Sequence, residues 1–134
     1  MMVSTRGRYA LRIMIELAEI GSDDYVPMKT VAARQGISLK YMERILPCLT
    51  KNHLIEGVHG KGGGYRLCRR PEEYRVGDIL RLTDDLAPVS CLEDGAEPCQ
   101  RVGQCRTIRM WNEFQELVNH YFDSITLADL MQEE

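Results

Sequence analysis

Three cysteines within a short segment are the feature of this 134-residue sequence with the clearest chemical potential. Cys91, Cys99 and Cys105 are spaced Cys-x7-Cys-x5-Cys, with glycine and proline residues between them. Soft thiolates grouped in this way suit an iron–sulfur cluster or a zinc ion. The sequence contains no Cys-x-x-Cys pair, which disfavours an ordinary zinc ribbon. On spacing alone, the three thiols could equally be redox-active or chemically idle.

The amino-acid composition limits the classes of protein to which this chain can belong. The longest apolar runs are interrupted by charges such as Arg12 and Glu16, so we expect no membrane span and no export signal. We therefore expect the protein to remain in the cytoplasm, whose reducing conditions disfavour structural disulfides. Cys48 and Cys68 are interpreted as packing residues. No nucleophile–base pair or phosphate loop is present, so we do not expect an enzyme.

The segment that carries the thiols has no helical or strand periodicity from residue 84 to residue 104, whereas both flanks do. Val76–Thr83 is predicted to be a short helix, and periodicity resumes at Cys105 and continues to Ile125, a helix of about 30 Å. Its apolar positions are Ile108, Trp111, Phe114, Leu117, Val118, Tyr121 and Ile125. Some of this stripe can pack on the first helix, and a second copy of the chain would best cover the remainder. A monomer whose arm folds wholly onto its own core is the alternative. Thr126 and Asp129 suggest a capping box for a terminal helix.

Residues 30–51 predict two helices separated by a turn. Gly36 can adopt the positive φ that ends the first helix, and Ser38 can cap the second. The second helix has an apolar stripe of Met42, Ile45, Leu46 and Leu49, and its opposite face carries Lys40, Tyr41, Glu43, Arg44 and Lys51. This pattern favours a helix-turn-helix. Because Pro47 lacks an N–H, we expect the regular helix to kink or end there, leaving Ser38–Leu46 to contact bases.

A β-hairpin is predicted directly after this helix. Leu54–His59 and Tyr65–Cys68 are strand-like, and the residues between them are glycines except for Lys61. With a first helix over Ser4–Glu19 and a second beginning near Met28, the prediction is a mainly α fold: a winged helix-turn-helix with a long C-terminal dimerisation helix. The predicted divisions are 1–83 for the winged-helix domain, 84–104 for the cysteine-bearing loop and 105–134 for the dimerisation and terminal helices. A winged helix that only binds protein is the alternative to DNA binding.

The formal net charge of −3 is distributed unevenly along the chain. Residues 1–81 contain 14 Lys and Arg against 9 Asp and Glu, a balance of +5, and residues 82–134 contain 3 against 11, a balance of −8. A basic first part would restrict phosphate contacts to that part. Chance asymmetry of a solvated surface is the simpler interpretation. Arg6 and Arg8 could contact the DNA backbone or be solvated.

Four motifs together resemble one group of bacterial winged-helix regulators, which includes the iron–sulfur cluster regulator IscR, the nitric-oxide sensor NsrR and the cysteine-metabolism repressor CymR. The resemblance covers essentially the whole chain and is closest to the IscR pattern. Its motifs are ThrArgGlyArgTyrAlaLeuArg at 5–12, GlnGlyIleSerLeuLysTyrMetGluArgIleLeu at 35–46, HisGlyLysGlyGlyGlyTyrArgLeu at 59–67 and IleThrLeuAlaAspLeu at 125–130. It implies a homodimer that binds double-stranded promoter DNA and represses or activates transcription.

The resemblance also implies roles for individual residues. Ser38, Lys40, Tyr41, Glu43 and Arg44 would address the major groove, and His59, Gly60 and Lys61 would address the minor groove. Cys91, Cys99 and Cys105 would ligate an iron–sulfur cluster, which we expect to be 2Fe–2S rather than 4Fe–4S and to be absent from protein prepared in air.

The fourth ligand of that cluster does not carry over from the resemblance. IscR-like proteins have a histidine three residues after the last cysteine, where this chain has Ile108, and NsrR-like proteins have an aspartate where this chain has Arg8. A nearby acidic residue (Glu93, Asp94 or Glu97), a partner side chain or an external thiol would have to serve. A cluster-free repressor that responds to thiol oxidation or to a partner protein, as in CymR, is the second hypothesis. A small electron carrier is the third.

Overall fold

The computed structural model describes residues 3–21, 23–101 and 103–131. The first three helices are α1 (Thr5–Ile20), α2 (Met28–Gln35) and α3 (Leu39–Lys51). Helix α2 ends at Gly36, whose φ of 65° lies in the left-handed region, and the Ser38 hydroxyl accepts a hydrogen bond from the Tyr41 N–H at 3.1 Å. The predicted helix-turn-helix and its cap are therefore present.

Helix α3 does not end at Pro47, so the prediction that it could end there was wrong. Helix α3 continues through Pro47 to Lys51. A proline inside a helix costs about 3 kcal/mol, but the buried stripe extends past it to Leu49, which is fully buried. Pro47 itself is exposed, on the side of the helix away from the core. Burial of the residues on both sides of the proline therefore outweighs its local penalty.

The predicted wing is present and slightly shorter than expected. Strands β1 (Ile55–Val58) and β2 (Gly64–Leu67) pair in antiparallel fashion, with Ile55 opposite Leu67. A third segment, which the sequence did not predict, joins this sheet through an isolated bridge: Val26 and Tyr65 exchange two backbone hydrogen bonds of 2.8 and 2.9 Å. The base of the wing is thus attached to the segment between α1 and α2.

The main core lies among α1, α2, α3 and the wing. Its members include residues with no measurable exposure on four elements: Ala10, Ile13, Met14, Val31, Met42, Ile45, Leu49 and Ile79. Helix α4 (Val76–Thr83) has the bounds that the sequence predicts and packs on α1. A second, smaller cluster of Val76, Leu80 and Leu86 receives Phe122 and Ile125 from the far end of the chain.

The C-terminal arm consists of α5 (Ile108–Asp123) and α6 (Leu127–Leu130). Helix α5 begins three residues later than predicted and has 16 residues, about 24 Å. Cys105 therefore belongs to the loop and not to the helix. The predicted capping box is present, with Thr126 and Asp129 each accepting the other's backbone N–H. None of the helices among the described residues has the length and apolar character needed to span a membrane.

Candidate nucleic-acid interface and cysteine loop

The outer face of α3 carries the polar side chains that the sequence predicts there. Lys40, Glu43 and Arg44 are exposed, as is the cap residue Ser38, and Tyr41 is half-buried among them. Met42, Ile45, Leu46 and Leu49 hold the opposite face in the core. The face is mixed in charge, so it can both donate to and accept from the edges of base pairs.

Tyr41 is fixed from behind by residues of α1. Its ring meets the Tyr9 ring edge-on, with centroids 5.3 Å apart, and the Arg12 guanidinium lies 5.1 Å from the centroid of Tyr9. Arg12 also donates to the side-chain and backbone oxygens of Gln35 at the end of α2. These contacts form a network that connects α1 and α2 to Tyr41 on the outer face of α3.

Glu16 is the acidic member of this network and is 5% exposed. It pairs with Arg34 at 3.3 Å and accepts from the Gln35 amide at 3.4 Å. Sequence analysis used Glu16 only to exclude a membrane span and missed this role. The available signal was a carboxylate inside the apolar stripe of α1, between Ile13 and Leu17, because a buried charge is rarely tolerated without a partner.

The first turn of α1 brings basic residues beside the recognition helix. Arg6, Tyr41, Arg44 and Ile45 line one shallow depression. Arg6 and Arg8 are exposed, and Arg8 donates to the Thr5 hydroxyl at 3.0 Å. Arg6 thus lies next to the predicted major-groove residues, whereas no contact links Arg8 to them among the described residues.

The tip of the wing carries the remaining candidate residues. His59, Gly60 and Lys61 are all exposed at the turn between β1 and β2, and the Gly63 N–H closes that turn on the Gly60 carbonyl at 2.9 Å. The tip lies on a different element from the exposed face of α3. The interface therefore has two parts, the face of α3 with Arg6 and the tip of the wing.

Among its described residues, the cysteine loop (residues 84–107) has fully buried side chains only near its start. Leu86 and Ala87 are buried, and the Asp85 carboxylate accepts the backbone N–H groups of Ala87 at 2.9 Å and Asp94 at 3.0 Å. Beyond a short 3-10 turn at Ser90–Leu92, residues 93–101 are exposed.

The three loop thiols are not gathered in this conformation. Cys91 and Cys105 are half-buried, Cys99 is exposed, and none forms a disulfide. Within residues 3–21, 23–101 and 103–131, no group of three or more His, Cys, Asp or Glu side chains is close enough to hold a metal ion. The predicted ligand set therefore exists as three separate thiols on one loop.

Cys105 has the most distinctive surroundings of the three. Its sulfur lies 3.4 Å from the Thr107 hydroxyl, which lowers the pKa of the Cys105 thiol, and the backbone N–H groups of Thr107 and Ile108 lower it further. Cys68, on the wing side, shows the opposite effect, because burial raises the pKa of its thiol. Cys105 is therefore better suited than Cys68 to act as a thiolate ligand or nucleophile.

Helix α5 has a continuous apolar surface that its own chain does not cover. Met110, Phe114, Leu117 and Tyr121 recur at intervals of four, three and four residues, and they are 50, 42, 68 and 62% exposed. The other face of the helix contacts α4, where Arg81 binds Asp123 at 2.8 Å and Asn119 at 2.8 Å. Of the seven residues in the predicted stripe, three are exposed and four are half-buried: Phe114, Leu117 and Tyr121 face outward, and Ile108, Trp111, Val118 and Ile125 are partly covered.

Comparison with known proteins agrees with this architecture. A model of the Rrf2 family, described as an iron-dependent transcriptional regulator, matches residues 3–133. The chain belongs to the Rrf2 family. It is therefore a transcriptional regulator rather than an enzyme, as the sequence predicts.

Individual Rrf2 relatives cover the chain almost completely. The Rrf2 protein of Nitratidesulfovibrio vulgaris is 37% identical over 99% of this chain and 89% of its own length. The structure of IscR from T. potens is 34% identical with a TM-score of 0.75, covering 97% of this chain and 85% of that one. The structure of CymR, the global cysteine regulator of B. subtilis, is 34% identical with a TM-score of 0.77, covering 97% and 95%. The winged-helix prediction is thereby confirmed.

Proposed function

We propose that this Rrf2-family chain is a homodimeric, sequence-specific DNA-binding regulator whose affinity for promoter DNA is set by an iron–sulfur cluster on Cys91, Cys99 and Cys105. The observation that carries the proposal is the exposed polar face of α3, with Arg6 beside it, on a buried apolar support. A winged helix with this arrangement is suited to enter a major groove while its wing follows the backbone or the minor groove.

Individual residues have distinct proposed tasks on DNA. Arg44 and Lys40 can donate to guanine or to phosphates, and Glu43 can accept from a cytosine amino group. Lys61 and His59 at the wing tip supply a cation and an imidazole hydrogen-bond donor for the minor groove. Arg6 and Arg8 supply phosphate contacts, which give affinity without sequence preference.

Homodimerisation is supported by the uncovered stripe on α5. Four large apolar side chains in a row would be costly to leave in water, and the same helix of a second copy offers a matching surface. Two winged helices joined in this way could contact half-sites about 34 Å apart on one face of a duplex.

The residues of the loop fit an iron–sulfur cluster in chemistry, because three soft thiols lie on one segment and a fourth position is left to another donor. When bound, such a group supplies a link among three thiolates that are separate in the described conformation. The loop itself contributes an anchored start at Asp85 and a thiol at Cys105 whose pKa is lowered, which favours the thiolate that metal binding needs.

The DNA-binding part is tested by measuring affinity for a duplex selected from a random library. We expect Arg44→Ala to weaken binding to the selected duplex by about 10- to 100-fold. Arg109→Ala is the matched control, since it removes the same charge from α5, where Arg109 is 90% exposed, and it should change affinity less than about threefold. Equal losses in both variants, or no selected sequence at all, would sink the proposal.

The cluster part is tested by anaerobic reconstitution with iron and sulfide, followed by visible absorption and iron analysis. Wild-type protein should take up iron and gain charge-transfer bands, and Cys99→Ala should lose both. Cys68→Ala is the control, because that cysteine lies outside the loop on the wing side. Equal iron uptake by wild type and Cys99→Ala would rule out these thiols as ligands.

A second candidate, control by thiol oxidation without a cluster, is favoured by the exposure of Cys99 and the lowered pKa of Cys105. A peroxide would accept two electrons from a pair of loop thiols, forming one disulfide and two waters. Mass spectrometry after mild peroxide treatment of iron-free protein distinguishes the two. A loop disulfide that changes DNA affinity supports this candidate, and unchanged affinity excludes it.

A further inference from the structure

The first turn of α1 and the first residue of the cysteine loop are joined through one carboxylate. Asp84 accepts the Ser4 backbone N–H at 3.0 Å on one oxygen and the Ser4 hydroxyl at 2.9 Å on the other. Ser4 in turn caps α1, since its hydroxyl oxygen accepts the Gly7 N–H at 3.0 Å. Asp84 therefore fixes the position of Ser4, and Ser4 caps the N-terminus of α1.

The contact is close enough to restrict what can occupy the helix surface. A Cβ atom added to Gly7 would overlap Asp84 Oδ2 and would lie 2.8 Å from Thr83 Oγ1. Separations of this kind are well inside van der Waals contact. The Thr83 hydroxyl also lies 2.8 Å from Asp84 Oδ2, which fixes the carboxylate from a second direction. Helix α1 and the end of α4 are thus locked together at Gly7.

This locked turn carries Arg6, which lines the depression shared with Tyr41 and Arg44. The position of Arg6 relative to α3 therefore depends on how the start of α1 is held. A carboxylate near a helix N-terminus also interacts favourably with the helix dipole. Ser4, Gly7 and Asp84 together form a structural clamp behind a basic surface.

We propose that Asp84 is a positioning residue for DNA binding, which acts through Ser4 to hold Arg6 beside the recognition helix. This inference rests on the proposed DNA-binding function and extends it to an acidic residue outside the proposed set of DNA-contacting residues. By charge alone, Asp84 should oppose DNA binding, because a carboxylate repels phosphate. Positioning predicts the reverse, so the sign of the mutational effect separates the two.

The decisive variant is Asp84→Asn, which keeps the shape of the side chain and removes its charge. Affinity for a mixed-sequence duplex is measured over a salt series, and folding is checked by thermal melting. Asp84→Asn should bind about 5- to 20-fold more weakly at low salt, and the slope of log affinity against log salt should be shallower by about 1 per lost phosphate contact. A purely structural role would lower the melting temperature without changing this slope in the folded protein.

Glu116→Gln is the charge-matched control. Glu116 is exposed on α5, away from α1 and the cysteine loop, and its substitution removes one negative charge as Asp84→Asn does. The affinity of Glu116→Gln should equal that of wild type or exceed it slightly. Asp84→Asn binding as tightly as wild type, or more tightly, overturns the inference, and so does an equal loss in Glu116→Gln.

Gly7→Ala attacks the same contact from the helix side without changing any charge. It should weaken duplex binding and flatten the salt slope as Asp84→Asn does, because the new methyl group displaces the carboxylate. In an Asp84→Ser background, Gly7→Ala should cost less than it does in wild type, since the nearest oxygen is gone. Additive losses, or a Gly7→Ala protein with the wild-type slope, contradict the clamp. Wild-type protein that ignores duplex DNA overturns the proposed function as well, whereas wild-type binding with an unaffected Asp84→Asn overturns this inference alone.

Discussion

The winged-helix unit (described residues 3–83) and the C-terminal arm with its cysteine loop are built in opposite ways. The unit buries side chains such as Ile13, Met42 and Leu49 completely. Helix α5 has the same length as α1, 16 residues, and none of its residues is buried. The unit is therefore held by apolar contacts within the chain, whereas the arm is attached mainly along one side.

Charge divides the two regions in the same place. The balance of +5 before residue 82 and −8 after it puts the cations on the unit and the acids on the loop and arm. The difference indicates that the unit is the part of the chain suited to face a polyanion. The arm and loop gain their full set of contacts only from something outside the chain, which we propose to be a second copy and a cluster.

The largest effect should come from opening the core of the unit. Ile45→Ala removes a fully buried side chain of α3 and should lower the free energy of unfolding by about 2–5 kcal/mol. Denaturant unfolding at a fixed protein concentration measures the change. Lys40→Ala, on the exposed face of the same helix, should stay within about 0.5 kcal/mol. If both variants cost the same, the inner face of α3 would not be more tightly packed than its outer face.

The next effect concerns the uncovered stripe of the arm. Leu117→Asp puts a charge on a residue that is 68% exposed in one chain, so folding should be little affected. Dimer dissociation should increase by about 100-fold if this stripe is the interface. Sedimentation velocity over a dilution series measures it. Asn112→Asp adds the same charge on the opposite side of α5 and should leave assembly unchanged; dissociation of both variants would place the interface elsewhere.

Tyr74 lies at the boundary between the two regions, and its loss should have an intermediate effect. Its hydroxyl donates to the Leu54 carbonyl at 2.6 Å and accepts the N–H groups of Cys68 and Arg69, each at 3.0 Å, while its own carbonyl accepts the Leu127 N–H. Tyr74→Phe leaves these partners unsatisfied and should cost about 1–3 kcal/mol in the free energy of unfolding.

The same residue gives an alkaline signature. Burial raises the pKa of the Tyr74 hydroxyl. Its stabilising contribution is therefore complete below the pKa of an unfolded tyrosine, about 10, and is lost as pH rises above it. Over this pH range, the free energy of unfolding should fall more for wild type than for Tyr74→Phe. Parallel pH profiles would show that the hydroxyl is not held as described.

The smallest effect should come from removing the ion pair that attaches the arm to α4. Arg81 beside Asp123 lowers the pKa of that carboxyl. The contribution is present at pH values above the pKa of an unfolded aspartate, about 3.9, and is lost as pH falls below it. Asp123→Asn should cost about 0.5–1 kcal/mol at neutral pH, since the side chains of Arg81 and Asp123 remain 35% and 29% exposed, and nothing in acid. Glu116→Gln, exposed on the same helix, is the control; an acid-independent cost for Asp123→Asn would point to packing instead.

Features set by neighbours in sequence could be predicted. The bounds of α4, the Ser38 cap, the apolar stripe of α3 and the box at Thr126 and Asp129 depend on residues at most a few positions apart. Their periodicity and capping chemistry are therefore visible in the sequence itself. The winged-helix class follows from these pieces in order.

Features set by distant residues could not be predicted. The Ser4–Asp84 contact spans 80 positions, and Val26 joins the wing from before the recognition helix. The persistence of α3 through Pro47 also depends on packing that no local rule contains. For the candidate site, the sequence selected the exposed residues of α3 and the three thiols. The Glu16 network behind Tyr41 had one local signal, the carboxylate inside the apolar stripe of α1, but its partners Arg34 and Gln35 lie too far along the chain to be predicted. The separation of the three thiols had no signal in the sequence.

The bridge between Val26 and Tyr65 has a mechanical consequence. Because the hairpin is fastened to the α1–α2 connection at its base, it cannot swing as an isolated flap, and only its glycine-rich end is free to bend. Changes in the distance between two DNA half-sites would then have to arise by pivoting whole units about α5. An altered operator spacing could be accommodated by substitutions along that one helix, with the base-contacting residues left untouched.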